Sequence, residues 1–419
     1  MPMERKRYEL TAREQKYAFL GQGLAYFVFE LKEQVQPELL CQAARQAVRL
    51  HPRYGTSLVL DDVFYLKEDP SWEQHPEGTV IAGGAGTCLW WISCAANKVI
   101  MNGSHALADG MSFLQFAATL FHLYFEKCGF SFSAAADADL PANPEETTRH
   151  PREICPGLTG RAAGVPQFPP PSPLSGDYFS PEEQHSLHML KISESEIRRF
   201  ATKSETSVFS VIACLLARTM QEAFHLNDGC ISVRVPVDYR KTFNTYTDYN
   251  FSQGFSLCYR PKRMAQLPDA LVETAFRSQL DLFTDRDQII SSLHKDFRRM
   301  QDLKENRVSF DSYFQYAPDA GGPQAQVHYT HLTKPGFSKE LAAKFNSLYF
   351  VADSDAAHII QIGATSFNGM ISLVINQHVA GGQFITALKH ALDKKGLVYS
   401  LREMCLEDVL KGTDERKNL

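Results

Sequence analysis

From Ile231 to Asp238 apolar and polar side chains alternate, with Ile231, Val233, Val235 and Val237 on one face and Ser232 and Arg234 on the other. That is the period of a half-buried strand. The residues before it follow a different period. Thr206 or Ser207 is placed to cap a helix running to about Phe224, with Phe209, Ile212, Ala213 and Leu216 turned inward. The first third of the chain shows the same mixture. Pro37 to Leu50 predicts a helix with proline near its start and Leu40, Ala44, Ala47 and Val48 on one face. Cys88–Ser93 and Lys98–Met101 predict a hairpin around Ala95-Ala96-Asn97. After Asp109, the spacing of Phe113, Phe116, Ala117, Leu120, Phe121 and Tyr124 predicts a long helix that Gly129 stops. Later, Phe255–Tyr259 and Ile371–Asn376 read as strands, Gly382–Asp393 as a helix, and Asp296–Arg307 as an exposed helix face. The fold class is therefore α/β, and a coarse duplication of one α/β unit is compatible with it.

Proline divides this pattern. Ten of the 21 prolines lie between Pro141 and Pro181, and the run from Pro166 to Pro173 excludes helix and central strand because proline fixes φ and has no N–H. The expected organisation is an N-terminal lobe over residues 1–140, a crossover over 141–181 and a C-terminal lobe over 182–419. At 419 residues, 44% hydrophobic and 22% charged, the chain is long enough for a large core and is neither disordered nor coiled-coil. A net charge of −5 with the two signs interspersed argues against a dedicated nucleic-acid or anionic-membrane binder. No apolar run approaches the ~18 residues of a membrane span. The basic start, MPMERKRYEL, has no apolar stretch behind it, so no secretory signal is expected. Nine cysteines without a C-x-x-C pair read as reduced thiols, and the expected location is cytoplasmic.

One segment concentrates chemistry. In Lys98–Phe113 a buried strand runs into a tight turn and an apolar helix leaves it, with His105 in the turn and Asp109 and Gly110 at the helix start. A side chain at such a junction is aimed by rigid elements on both sides. Asp109 suits a helix N-terminus, and Gly110 allows close backbone approach. Other candidates lack the partners their chemistry needs. His185-x-x-His188 has no further ligand at metal spacing and is expected on a solvated segment, so no metal is expected. Gly83-Gly-Ala-Gly86 has no Lys-Ser/Thr and precedes a strand. His378 and His390 are expected to be ordinary surface or core residues.

His105-Ala-Leu-Ala-Asp109-Gly110 resembles the H-x-x-x-D-G signature of the chloramphenicol-acetyltransferase-like superfamily, which includes condensation domains, BAHD acyltransferases and alcohol acetyltransferases. Three further features follow in the same order: Ala43–Pro52, similar to the helix before the first strands of condensation domains; Val233–Arg240, similar to a strand ending P-V-x-x-R; and Asn250-Phe-Ser-Gln-Gly254, where BAHD enzymes carry D-F-G-W-G. The resemblance spans about residues 10 to 395. It departs at Ser104, where condensation domains have a second histidine, at Asn250 and Gln253 within the D-F-G-W-G position, and around Asn346-Ser347, where many relatives carry S-N-x-G.

The resemblance implies two chloramphenicol-acetyltransferase-like lobes with a tunnel between them. It implies transfer of an acyl group from a thioester, acyl-CoA or an acyl carrier protein, to an alcohol or amine without a covalent enzyme intermediate. Its motif residues are His105, Asp109 and Gly110. His105 would be the general base, a task suited to an imidazole with a pKa near ~6.5. Arg240 would pair with Asp109 and hold the turn, and Asn250 and Ser252 would supply donors to the oxyanion. The crossover would lie at the periphery. No permanently bound cofactor, no nucleic acid and a monomeric state are expected. The competing readings are a condensation-like enzyme using a carrier-bound donor and a catalytically silent binding protein on the same fold.

Overall fold

The computed structural model describes residues 6–20, 24–69, 81–82, 89–134, 139–155, 171–174, 186–305, 307, 309, 325–333, 336–352, 358–377, 379, 381–405 and 409. The first part of the chain forms β1 (Arg7–Glu9), α1 (Ala12–Leu20), β2 (Leu24–Leu31), α2 (Pro37–Leu50), β3 (Thr56–Leu60), β4 (Phe64–Glu68), β5 (Ile81–Ala82), β6 (Trp90–Ala95), β7 (Lys98–Ser104) and α3 (Gly110–Lys127). Two single-turn helices follow, α4 (Pro144–Thr147) and α5 (Pro151–Ile154). The remainder includes β8 (Ser186–Ser193), α6 (Glu194–Lys203), α7 (Val208–Ala223), β9 (Ile231–Asp238), β10 (Ser252–Tyr259), β11 (Ala325–Thr333), β12 (Phe345–Ala352), β13 (His358–Phe367), β14 (Met370–Gln377) and β15 (Tyr399–Met404). Long helices over Asp269–Thr284, Arg286–Lys304 and Gln383–Lys394 pack around them.

The local reasons for these elements are those of the sequence pattern. Proline starts α2, and its buried face is Leu40, Ala43, Ala44, Ala47 and Val48. Ser207 caps α7 by accepting from the Ser210 N–H. The β6–β7 hairpin turns at Ala96 and Asn97, with Ala96 at φ 52°. α3 differs from its one-faced expectation: Ser112, Phe113, Leu114 and then every residue from Phe116 to Phe125 is buried, because this helix is enclosed on all sides. His188 corrects another expectation, since it lies on β8 rather than on a solvated segment. His185, His378, Gly83–Gly86, Cys88 and Pro166–Pro170 lie outside the described residues.

Among the described residues three sheets organise the molecule. A seven-stranded sheet runs β10-β9-β11-β13-β14-β8-β15, a five-stranded sheet β12-β2-β7-β6-β5, and a three-stranded sheet β1-β4-β3. Two large apolar clusters, one around α3 and the five-stranded sheet and one around α7 and the seven-stranded sheet, make two lobes. A third cluster joins Val28, Ile100, Tyr349 and Val351 to Leu187, Met189 and Val374 across them. The strands do not sort by the expected 1–140 and 182–419 division. β12 comes from the C-terminal part of the chain, yet it pairs antiparallel with β2 and closes an edge of the N-terminal sheet that would otherwise stand open. Residues 143–154 also depart from the extended crossover that proline predicts, since they form two helical turns, each with proline at its start. Among the described residues no single helix is long and apolar enough to cross a membrane.

Candidate active site

β7 ends at Ser104 and α3 begins at Gly110, so five residues make the junction. Ser104 shapes it. Its carbonyl accepts from the Leu107 N–H at 3.0 Å and its hydroxyl from the Ala106 N–H at 3.1 Å. His105 therefore projects from a closed turn. Its Nδ1 lies 3.1 Å from the Ala108 carbonyl, which only accepts, so Nδ1 carries the proton and Nε2 keeps its lone pair. The ring is half-buried against Tyr17, with centroids 4.9 Å apart. Burial lowers its pKa below the ordinary imidazole value. The Ala108 carbonyl and Asp109 oppose that shift, and Arg13 adds to it.

Asp109 is the N-cap of α3 and is buried. One carboxylate oxygen accepts from the Ser112 N–H at 3.0 Å and from the Ser112 hydroxyl at 3.2 Å. The other accepts from Arg240 Nη1 and from the Phe251 N–H, both at 2.9 Å. Burial alone would raise its pKa, but Arg240 and the two backbone N–H groups outweigh that and hold it low. Both oxygens of Asp109 are thus engaged, one within the turn and the other by Arg240 and the Phe251 N–H. Arg240 also donates to Asp238 at 2.7 Å, to the Thr247 carbonyl at 3.0 Å and to the Tyr249 carbonyl at 2.6 Å. It thus fastens the 247–251 loop of one lobe to the turn of the other.

Gly110 is less constrained than expected, since a Cβ there would meet Leu332 at an ordinary 3.4 Å. Gly103, at the end of β7, has no such room, since a Cβ there would overlap the Phe113 ring. Backbone donors of the Asn250 region are engaged within the protein. The Asn250 N–H is taken by Glu14 at 2.9 Å and the Phe251 N–H by Asp109, so neither backbone group faces a substrate oxygen. Ser252 donates its hydroxyl to Asn250 Oδ1 at 3.2 Å. The loop does lie beside the turn, because Asp109 bonds to it directly.

Sequence reasoning missed a second buried pair behind the turn. Arg53 donates through Nη2 to Glu14 at 2.7 Å and to the Leu107 carbonyl at 2.8 Å, and its guanidinium stacks 3.5 Å over Tyr249. Both side chains of the pair are fully buried. It also missed α1, whose Arg13 and Tyr17 share a face by their four-residue spacing and flank the His105 turn. Arg13 donates to the Ser252 carbonyl. The signal was present in Thr11-Ala-Arg-Glu14, a capping box: Glu14 accepts from the Thr11 N–H at 2.8 Å, and the Thr11 hydroxyl from the Glu14 N–H at 3.2 Å. The described part of the crossover packs against both lobes. Asn143–Glu153 and Tyr249 wall a groove of about 970 Å³ with β1, and the Thr147 carbonyl accepts from the Asp248 N–H at 2.8 Å.

No family model matches the sequence, and no curated protein matches it. Solved structures with this architecture include TRI101 of F. sporotrichioides complexed with coenzyme A and T-2, at a TM-score of 0.62 and 10% identity over 95% of this chain and 99% of that one. They include polyketide synthase associated protein 5 of Mycobacterium tuberculosis, at a TM-score of 0.57 and 14% identity over 94% and 98% of the two chains. They also include the epimerization domain of the third module of tyrocidine synthetase B, at a TM-score of 0.55 and 13% identity over 93% and 95%. The likeness covers nearly the whole of each chain. The chain shares the two-lobed α/β fold of these structures.

Proposed function

We propose that the protein is an acyltransferase that moves an acyl group from an acyl-CoA to an alcohol or amine, with His105 as general base. The observation that carries this reading is the His105 turn: Nδ1 is tied to the Ala108 carbonyl, so Nε2 keeps a free lone pair, and the ring is held neutral by burial. An alcohol is a poor nucleophile until its proton is removed, and a neutral imidazole within hydrogen-bond reach removes it as the new bond forms. The acceptor oxygen or nitrogen attacks the thioester carbonyl and its proton passes to Nε2. The carbonyl then re-forms as the carbon–sulfur bond breaks, and the imidazolium returns the proton to the leaving thiolate. The amide nitrogen of Asn250, rather than any backbone N–H of its loop, meets the transient oxyanion. Asp109, Arg240, Arg53 and Glu14 hold the turn without touching the reacting atoms.

The two lobes that share the substrate are residues 1–140 and 182–419, with Phe345–Ala352 contributed by the second to the sheet of the first. An acyl-CoA donor is supported by the coenzyme A in the TRI101 complex and by Ser104, which is a turn-former here rather than a second histidine. The test is incubation with acetyl-CoA and a panel of alcohols and amines, following thiol release and ester or amide formation by mass spectrometry. His105→Ala should lower turnover by about 10²–10⁴ with the fold intact. Equal turnover by the variant overturns the assignment. Transfer from an acyl carrier protein with none from acetyl-CoA would reassign the donor.

A further inference from the structure

The buried cysteines occupy two kinds of place. Cys155 and Cys214 pack in the apolar cluster around α7, where a thiol serves as a small hydrophobe. Cys230 and Cys258 lie elsewhere. Ile231 and Val233 of β9 and Leu257 and Tyr259 of β10 point into that cluster. By alternation Cys258 and Ser232, which face each other in register, lie on the opposite side of the sheet. Cys230 directly precedes β9 and falls on the same side as Ser232, two positions on. The two thiols meet there. Their Sγ atoms are 2.7 Å apart, although the residues stand 28 positions apart in sequence.

Both backbones are held from outside the hairpin. The Cys230 N–H donates to the Ser172 hydroxyl at 2.9 Å, and the Cys230 carbonyl accepts from the Ser172 N–H at 2.8 Å. Gln279, on the helix over Asp269–Thr284, accepts from the Cys258 N–H at 2.8 Å and donates to the Cys258 carbonyl at 3.2 Å. The two thiols also differ in character. The hydrogen bond from Cys230, helped by the Arg260 guanidinium, lowers the Cys258 pKa to about 7 against the opposing effect of burial. That same hydrogen bond, with burial, raises Cys230. Burial pushes the Cys94, Cys128, Cys155 and Cys214 thiols up. Cys258 is 5% exposed, near the end of an edge strand and two residues before exposed Arg260. A thiolate beside a cation, close to solvent and touching a second thiol, is the arrangement of a reactive cysteine with a resolving partner.

We propose that Cys230 and Cys258 are a redox pair: a hydroperoxide oxidises Cys258, and Cys230 resolves the product as a disulfide that staples the open end of the β9–β10 hairpin. With hydrogen peroxide, the Cys258 sulfur attacks one oxygen and the O–O bond breaks. The leaving hydroxide takes up the proton that Cys258 released and becomes water. Cys258 is then a sulfenic acid. The Cys230 sulfur attacks the Cys258 sulfur, the S–O bond breaks, and hydroxide leaves with the Cys230 proton as a second water. The two thiols lose two electrons and two protons, and the peroxide is reduced to two waters. The closed loop carries Arg240 and the 247–251 segment, so the bond restrains the hairpin that reaches the His105 turn. The proposal stands independently of acyl transfer.

The test is peptide mapping of the full chain, first reduced and freed of reductant, then exposed to hydrogen peroxide while folded and alkylated with N-ethylmaleimide in denaturant. Wild type should lose two of its nine alkylatable thiols. Mass spectrometry should find one cross-linked peptide pair, holding Cys230 and Cys258 and two hydrogens lighter than the sum of its parts. Dithiothreitol should restore both thiols. The oxidised form should melt at a higher temperature than the reduced form, because the bond restrains the unfolded chain between residues 28 positions apart. In Cys230→Ser, peroxide should leave Cys258 as a sulfenic acid that dimedone traps. In Cys258→Ser, Cys230 should remain alkylatable. Should either variant fail to fold, the wild-type map decides alone. The proposal is overturned if both thiols of folded wild type survive peroxide, if Cys258 links to a different cysteine, or if Cys258 passes to a sulfinic acid with Cys230 still a thiol. A cross-link that leaves the melting temperature unchanged overturns the staple.

Discussion

His105 and Asp109 sit four residues apart, and both pKa values are lowered, which favours the neutral form of one and the charged form of the other. Burial pushes the His105 pKa below the ordinary imidazole value, so the folded protein binds fewer protons there than the unfolded chain does. Its contribution to stability is complete above the usual imidazole range and is lost as pH falls through the lowered value. Activity should follow the same sign. The acid limb of kcat/KM should lie below pH ~6.5, and Arg13→Gln, which removes a nearby cation, should move that limb to higher pH. A limb that stays put would separate Arg13 from the base. Asp109 is held ionised by Arg240 and two backbone N–H groups. Asp109→Ala removes one of the two carboxylates on Arg240 and leaves the buried Ser112 and Phe251 N–H groups without their acceptor, which costs about 1–3 kcal/mol or more. Chemical denaturation should show that loss together with reduced turnover, and a stability loss below about 1 kcal/mol would mean that the pair does not hold the turn.

At the scale of elements, the turn is precise because β7 and α3 pack without clearance. Gly103 on β7 leaves the space that the Phe113 ring of α3 fills. Gly103→Ala should therefore cost about 1–3 kcal/mol by overpacking. Combining it with Phe113→Leu should recover part of that loss, and additive losses in the double-mutant cycle would show that the two positions are not in conflict. α1 is the other positioning element. Its capping box fixes where the helix starts, and so fixes which lobe-facing side carries Arg13 and Tyr17.

At the scale of the molecule, the lobes are joined at several points that are far apart in sequence. His51, at the end of α2, places Nδ1 3.0 Å from both oxygens of Asp248 and Nε2 3.0 Å from the Thr119 hydroxyl, with both His51 and Asp248 fully buried. His51→Ala leaves the Asp248 carboxylate without that partner, at a cost of about 1–3 kcal/mol or more. Hydrogen exchange should quicken in the Thr245–Phe251 loop, and through Arg240 and Phe251 the effect should reach the His105 turn as lower kcat. Unchanged exchange in the loop would show that the crossover strap at Thr147 and Arg149 suffices to hold it.

The sequence by itself determined the elements whose causes are local. The capped α7, proline-started α2, alternating β9 and the turn carrying His105 all follow from neighbours within a few residues, and each is found where its pattern put it. The H-x-x-x-D-G spacing likewise marked the segment at which both lobes converge. Three features were decided only by tertiary structure. The pairing of β12 with β2 joins residues some 320 positions apart, and nothing in Phe345–Ala352 encodes the sheet it enters. The Asn250 backbone was diverted to Glu14, a partner 236 residues away that local reading had no reason to connect. The row Ser256, Arg234, His328, Gln361 and Asn376 is invisible along the chain because its five members lie on five strands. They become one surface only when register aligns them. Local periodicity states which face a residue takes, but which residues stand opposite it is set by strand pairing, and that is a property of the folded molecule.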